Sequence, residues 1–300
     1  MQAIVGGVSI SFDHSDGDAI FVSHAHADHL NGLRNKKPKK LIASDETMLL
    51  GGLFGERVSF DGVKTHNAGH ILGARQISVE EDGRKSVYTG DICLHENLVL
   101  KGAEIIECDR LIIDATYGNP EYSFPAYEET CESIAKWVNE NLAHGNNAII
   151  GGYELGKAQE LVKIINTLVG CAPIVTEKMA GFCEIYNKFN AGLDFIVVGS
   201  DEAEEIMKKP FVAIVPMRHA KRYFAERLSE AFGRKTVSAV ATGWALKYRF
   251  NADAAFPLSD HADFKDLKRY IDESGAKEIE FFQGDGKALK KGMKIIVTYK

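Results

Sequence analysis

Short runs of β-branched and aromatic residues, separated by Gly, Asp and Asn, fill the first 115 positions: AIVGGVSISF, DAIFVS, KKLIAS, RQISVE, KSVYTG and DRLIIDA. Each has the length and composition of a strand. Helix starts are expected near Asp28–Leu33 and over Asp45–Gly51. The rhythm changes near Pro120, after which helical and strand patterns alternate. Helices are expected over about Ala126–Leu142, Lys157–Leu168, Gly181–Phe189 and Lys221–Phe232, with a short acidic one after DFIVVG. Between them lie NAIIGGY, APIVT, DFIVVG, PFVAIVP and KTVSAVATG. Such alternation predicts a mostly parallel sheet flanked by helices. After Pro257 the pattern gives a helix over Ala262–Ser274, a strand EIEFFQ, a short basic helix and a last strand MKIIVTY. The fold class is therefore α/β, with domain junctions expected near residues 120 and 250.

Composition narrows this little. A chain of 300 residues, 45% hydrophobic, can bury a substantial core. No apolar run of about 18 residues indicates a membrane span. The N-terminus, MQAIVGGVSISFD, reads as a strand and not as a signal peptide, so a cytoplasmic protein is expected. The five cysteines, Cys93, Cys108, Cys131, Cys171 and Cys183, show no C-x-x-C spacing, which argues against a disulfide framework or a cysteine zinc site. The net charge of −6 excludes a strongly basic nucleic-acid-binding domain. Basic residues nevertheless cluster at Arg34–Lys40, Arg218–Arg222 and Lys287–Lys294, and local grooves of that kind can hold phosphates in an acidic chain.

The chemistry begins at FVSHAHADHLNGL, Phe21–Leu33, where His24, His26, Asp28 and His29 fall within six residues. No apolar core requires three histidines so close together. Imidazole suits zinc, and a carboxylate supplies a harder donor. Four ligands this close cannot enclose two ions alone, so distant loops are expected to contribute. Two offer themselves: His70 in HNAGHILGA and Asp91 in VYTGDI, each after a strand-like run. His66 stands four residues before His70, but Gly69 and Gly73 argue against a helix that would bring the two together, and it is left out of the ligand set.

H-x-H-x-D-H, AGHILGA and TGD, in that order, resemble the metallo-β-lactamase fold of metal-dependent hydrolases. The resemblance implies an αββα sandwich with one zinc on His24, His26 and His70. It implies a second on Asp28 and His29, with Asp91 bridging, and Asp13 supporting the ligands from behind. Three further segments resemble the β-CASP nuclease branch: RLIIDATYGNPEYSFP (Arg110–Pro125), YELGKAQEL (Tyr153–Leu161) and FPLSDHADFKDL (Phe256–Leu267). They place the branch's acidic motif on Asp114 and its histidine on His261, where Ser259 or Asp260 would cap the following helix. The Gly-Lys of the second segment is not a Walker loop, because G-x-x-x-x-G-K-[ST] is absent. The wording is nearest to compact archaeal and bacterial exonucleases, including DNA-ligase-associated ones. The implied domains are a metallo-β-lactamase domain, 1–119 with 251–300, and an inserted β-CASP domain, 120–250.

Carried over, the resemblance implies a zinc-dependent nuclease acting on DNA or RNA, single strands favoured, and working as an exonuclease. One or two zinc ions, with Mn²⁺ able to substitute, would activate hydroxide for attack on the phosphodiester. Asp28, Asp91, Asp114 and His261 are the residues assigned to catalysis, with Asp114 orienting His261. The inserted domain would cap the site and leave a groove, and Lys157, Arg218, Lys221 and Arg222 are the expected backbone contacts. One departure stands out. Where many members of the branch carry a further histidine ligand in a VHG context, this chain reads EIEFFQGDG, with Gln283 at that position and Asp285 two residues on. It puts occupancy of the second ion in question and keeps open an inactive nucleic-acid-binding protein. The negative net charge keeps open a small-substrate metallohydrolase. Polymer, polarity, endo- or exonucleolytic action and oligomeric state are not set by the sequence.

Overall fold

In the computed structural model, which describes residues 2–30, 33, 39–284, 286–290 and 296–299, the apolar runs before Pro120 become short strands. They are β1 (Gln2–Val5), β2 (Val8–Phe12), β3 (Ala19–Phe21), β4 (Lys39–Ile42), β5 (Gly55–Arg57), β6 (Val63–Asn67), β7 (Arg75–Glu81), β8 (Arg84–Tyr88) and β9 (Arg110–Asp114). The helix α1 (Asp45–Gly51) falls between β4 and β5; Ser44 Oγ accepts from Thr47 N at its start, and Gly52 closes it in the left-handed conformation. Then come α2 (Tyr127–Ala143), β10 (Asn147–Gly152), α3 (Lys157–Ile164), β11 (Ile174–Val175), α4 (Glu177–Lys188), β12 (Ile196–Val197) and α5 (Asp201–Met207). The chain continues through β13 (Val212–Pro216), α6 (Arg222–Phe232), β14 (Thr236–Ala241), β15 (Ala254–Phe256), α7 (Phe264–Ser274), β16 (Glu278–Phe282) and β17 (Ile296–Tyr299).

The chain divides into two compact units, one of residues 1–96, 100–123 and 261–300, the other of 97–99 and 124–260. In the first, β1–β5 form one sheet in chain order, and β17-β16-β9-β8-β7-β6 form a second. Their apolar faces meet: Val5, Ile10, Phe12, Phe21 and Ile42 from the first sheet pack with Ile77, Val79, Tyr88 and Ile112 from the second. On the outside of the first sheet, Ile20, Val22 and Leu41 pack with Leu30, Leu53 and Met48 of α1. On α7 the side chains of Leu267, Tyr270 and Ile271 are buried, and Tyr270 OH donates to Gln76 Oε1 on β7 at 2.6 Å. The result is the αββα sandwich.

The second unit is a six-stranded sheet ordered β12-β11-β13-β10-β14-β15, every pair of it parallel. Ile149, Ile174, Ile196 and Ala213 on one face pack with Ala203, Ile206, Ala225 and Leu228 of α5 and α6. The second junction thus lies ten residues beyond the expected one. The reason is β15, which pairs parallel with β14 and extends this sheet through Phe256.

Local differences have local causes. Ala27–Leu30 is a turn, not a helix start, with His29 N donating to His26 O at 3.1 Å and Leu30 N to Ala27 O at 3.3 Å. The expected helix at Gly181 begins four residues earlier, because the Thr176 side chain accepts from Met179 N. The cap of α7 is Asp263, whose Oδ1 accepts from Lys265 N and Asp266 N at 2.8 and 2.9 Å, not Ser259 or Asp260. Residues 287–290 form a turn where a short helix was expected. Of the basic run Arg34–Lys40, residues 34–38 lie outside the described ones, as do Asp285 and residues 291–294. None of the five cysteines is in a disulfide. Among the described residues no helix is long and apolar enough to cross a membrane.

Partial burial, and then Asp263 nearby, push the Asp266 carboxyl up to about 6. The folded chain therefore holds this proton more tightly than the unfolded one. The stability it contributes is present below the ordinary carboxylate pKa of 3.8 and is lost as pH rises through about 6. Asp266→Asn is expected to raise Tm by about 2 °C at pH 7.5, a gain held to about 1 kcal/mol by solvent screening. At pH 4 the two proteins should melt together; a constant difference across a calorimetric pH series would contradict the shift.

Candidate metal centre

Three strand ends and their loops converge at one edge of the sandwich. The chain leaves β3 at Phe21 still hydrogen-bonded to its neighbour, with Val22 N donating to Ile42 O at 3.0 Å. It then enters the loop that carries His24, His26, Asp28 and His29. His70 follows β6, and Asp91 follows β8. Two glycines let the loops come this close. Gly69 has φ +69°, and a Cβ there would lie 2.2 Å from Cys93 O. Gly90 has φ +55°, and a Cβ there would lie 2.6 Å from Ser23 Cβ. Any larger residue would push His70 or Asp91 out of place.

His24, His26, His70 and Asp91 each offer one donor atom, all within 4.8 Å of one another. His26 Nδ1 stands 3.0 Å from both His24 Nε2 and His70 Nε2. Asp91 Oδ2 stands 3.6 Å from His24 Nε2 and 3.7 Å from His70 Nε2. Donors around one ion at roughly 2.0–2.2 Å are about 3–3.6 Å apart, so the set fits a divalent cation. The other oxygen, Asp91 Oδ1, is buried, accepts no hydrogen bond among the described residues, and stands 3.4 Å from His29 Nε2. A buried carboxylate oxygen left without a donor is costly unless a cation meets it. Asp28 Oδ2 is 3.7 Å from the same His29 nitrogen, on a side chain 65% exposed. His66 is elsewhere, its Nε2 2.9 Å from Ser78 Oγ.

Asp13 fixes His29. Its carboxylate accepts from Ser23 N at 2.7 Å, Ser23 Oγ at 2.6 Å, Tyr88 OH at 2.8 Å and His29 Nδ1 at 2.8 Å. With Nδ1 thus donating, Nε2 is turned toward Asp91. Burial opposes a charge on His29, but the Asp13 and Asp91 carboxylates outweigh it and push the imidazole up to about 11. Burial, and then the neighbouring His29, hold His24 well below its usual range. Burial works against the Asp91 charge too, yet His29, His261 and His24 keep its carboxyl well below the usual carboxylate range. Tyr88 was not legible in the sequence: a tyrosine three residues before Asp91 looks like any strand aromatic.

Asp114, at the end of β9, is buried and paired with His261 Nδ1 at 2.9 Å through Oδ2. Its Oδ1 accepts from Thr116 N and Thr116 Oγ1 at 2.8 and 2.7 Å, so the carboxylate cannot swing. Burial pushes the Asp114 carboxyl up, against the pull of His261. His261 Nε2 lies 3.9 Å from Asp91 Oδ2, and its ring lies 4.5 Å from that of His70. Tyr117 flanks the ring edge-on at 5.9 Å. Gln283 Nε2 stands 3.1 Å from His29 Nε2.

The expected backbone contacts divide. Arg218, Lys221 and Arg222 are exposed around the C-terminal end of β13, with Arg222 Nε 3.2 Å from Asp253 Oδ1. Lys157 does not fit that role. It is 1% exposed, donates to Glu160 Oε2 at 2.6 Å and lies 3.8 Å from Asp260 Oδ1. An ammonium this deep balances carboxylates and cannot track a nucleic-acid backbone in water.

The chain is similar in sequence to several known proteins. No family model matches the chain. A probable DNA ligase of Opitutus terrae is 30% identical over 286 residues, 88% of this chain and 26% of that protein. An RNase J-like protein of Methanocaldococcus jannaschii is 31% identical over 185 residues, 51% of this chain and 44% of the relative. Subunit 3 of the cleavage and polyadenylation specificity factor of Dictyostelium discoideum is 34% identical over 117 residues, 38% of this chain and 15% of that subunit. The chain spans less than half the length of each of these relatives.

Proposed function

Because the chain belongs to the β-CASP branch of the metallo-β-lactamase fold nucleases, we propose that it is a zinc-dependent nuclease, cutting single-stranded DNA or RNA from an end. Asp91 carries the proposal: one carboxylate oxygen faces His24 and His70, and the other, buried without a hydrogen bond among the described residues, faces His29. His24, His26, His70 and Asp91 would hold one ion, and Asp28, His29 and Asp91 a second. The imidazole-rich first set suits zinc. When bound, such ions supply activated water and charge neutralisation on the phosphate.

The chain's own residues do the rest. His261 Nδ1 faces Asp114, so Nε2 is the atom presented to substrate. One proton lies between Asp114 Oδ2 and His261 Nδ1, and the anion behind the ring favours imidazolium. In that form Nε2–H can donate to a phosphate oxygen and then give its proton to the leaving oxygen. Arg218, Lys221 and Arg222 are exposed cations suited to the strand's phosphates.

The test is cleavage of 5′- and 3′-labelled single-stranded DNA and RNA with added Zn²⁺ or Mn²⁺, with chelator, and with the Asp28→Ala/His29→Ala protein. Metal-dependent shortening from one labelled end, absent in the variant, is the expected result. Hydrolysis of a chromogenic phosphodiester with no action on any polymer would replace the nuclease by a small-substrate hydrolase.

A further inference from the structure

We propose that Gln283 is a metal donor through its amide oxygen, and that it makes the second ion position a site for a hard divalent cation such as Mn²⁺ in place of zinc. This rests on the two-ion reading of the centre, not on the nuclease reading. The donors around the two positions differ in kind. The first set has three imidazoles and one carboxylate oxygen, His24, His26, His70 and Asp91 Oδ2. Around His29 Nε2 stand Gln283 Nε2 at 3.1 Å, Asp91 Oδ1 at 3.4 Å and Asp28 Oδ2 at 3.7 Å. Each of the three lies about as near to His29 Nε2 as two donors to one ion at roughly 2.1 Å lie to one another. Two carboxylates and an amide leave one imidazole among four donors. Nitrogen-rich sets select zinc, whereas carboxylate, carbonyl and water suit manganese and magnesium.

The backbone holds Gln283 there. Ala115 N donates to both Phe282 O and Gln283 O, at 2.9 and 3.0 Å, beside Asp114. Gln283 sits at φ +54°, a conformation a non-glycine residue adopts at a cost. Gly284 follows at φ +92°, and a Cβ there would lie 2.1 Å from Ala115 O. The amide is thus delivered to His29 by a pinned turn. The amide nitrogen is the atom nearest His29 Nε2, and a half-turn of the same group presents the oxygen to a cation. An amide oxygen has no charge and binds zinc less well than an imidazole would.

The test reads metal directly. Chelator-stripped protein is equilibrated with equimolar Zn²⁺ and Mn²⁺, both metals are counted per chain by elemental analysis, and bound Mn²⁺ is followed by electron paramagnetic resonance. One zinc and one manganese per chain are expected. Gln283→His should take up two zinc and lose manganese, and Gln283→Ala should bind Mn²⁺ about tenfold more weakly with its zinc unchanged. Gln283→Glu, which keeps an oxygen donor in the same turn, should bind Mn²⁺ at least as tightly as the parent and shows whether loss in the alanine variant is only misfolding. Two tightly held zinc ions in the parent, or Mn²⁺ affinity within twofold in Gln283→Ala, would overturn the proposal. A chain that takes up both metals as expected but cuts no polymer would refute only the nuclease.

Discussion

Asp91→Asn is expected to lower turnover by about 10³-fold or more and to leave the chain with less than one bound metal, although the two side chains have the same shape. The scale follows from what the carboxylate does. Loss of a group that merely orients a ligand already costs about 10–100-fold in metal affinity or activity, and Asp91 would serve both proposed ions. Its two oxygens face different nitrogens, Oδ2 facing His24, His70 and His261, Oδ1 facing His29. An asparagine keeps one oxygen and must aim an NH₂ group at nitrogen lone pairs. With no metal bound it also removes the anion that, with Asp13, pushes the His29 imidazole up to about 11. Breaking a buried ion pair by deleting one partner costs about 3–5 kcal/mol, so the metal-free variant should also melt earlier. Elemental analysis, turnover and calorimetry on one preparation separate these effects. Two ions per chain with full turnover in Asp91→Asn would remove Asp91 from the centre.

The cluster of His24, His26, His70 and Asp91 was legible because chemistry there is written in spacing. Three histidines and an aspartate in six residues have no packing explanation, and TGD and AGH are short enough to read as units. What supports them is not local. Asp13 and Tyr88 meet across 75 residues, and neither has a neighbour in sequence that marks it. Thr116 clamps Asp114 through a side chain that strand propensity alone would explain. Lys157 was misjudged for a related reason: a lysine at a helix start reads as solvated, and only the packed structure reveals Glu160 and Asp260 around it. The second junction slipped because a three-residue strand, β15, carries too little pattern to be read, yet its pairing with β14 decides which unit it joins. The α7 cap slipped because Ser259, Asp260 and Asp263 are all good caps, and only the path of the chain selects among them.

His261→Ala is expected to lower kcat by about 10²–10⁴-fold with the metal content unchanged, which would distinguish it from Asp91→Asn. Its Nε2 lies beside the ligand cluster, 3.9 Å from Asp91 Oδ2. Asp114→Asn is the more telling variant. Thr116 donates twice to Oδ1, so an asparagine would keep its carbonyl there and turn its NH₂ toward His261 Nδ1. His261 Nδ1 would then have to accept from that NH₂, which forces the ring proton to Nε2, and the anion that favours imidazolium is gone. A neutral ring in the other tautomer can hydrogen-bond a phosphate but is a poor acid; a comparable reversal elsewhere costs about 10⁴-fold. Because the two residues act as one unit, their losses should not add. The double variant should be no slower than about twofold below His261→Ala, and the arm of the pH–rate profile that belongs to the pair should vanish in all three. Losses that multiply, or metal that leaves with either side chain, would mean that Asp114 and His261 hold the centre together and do not move the proton.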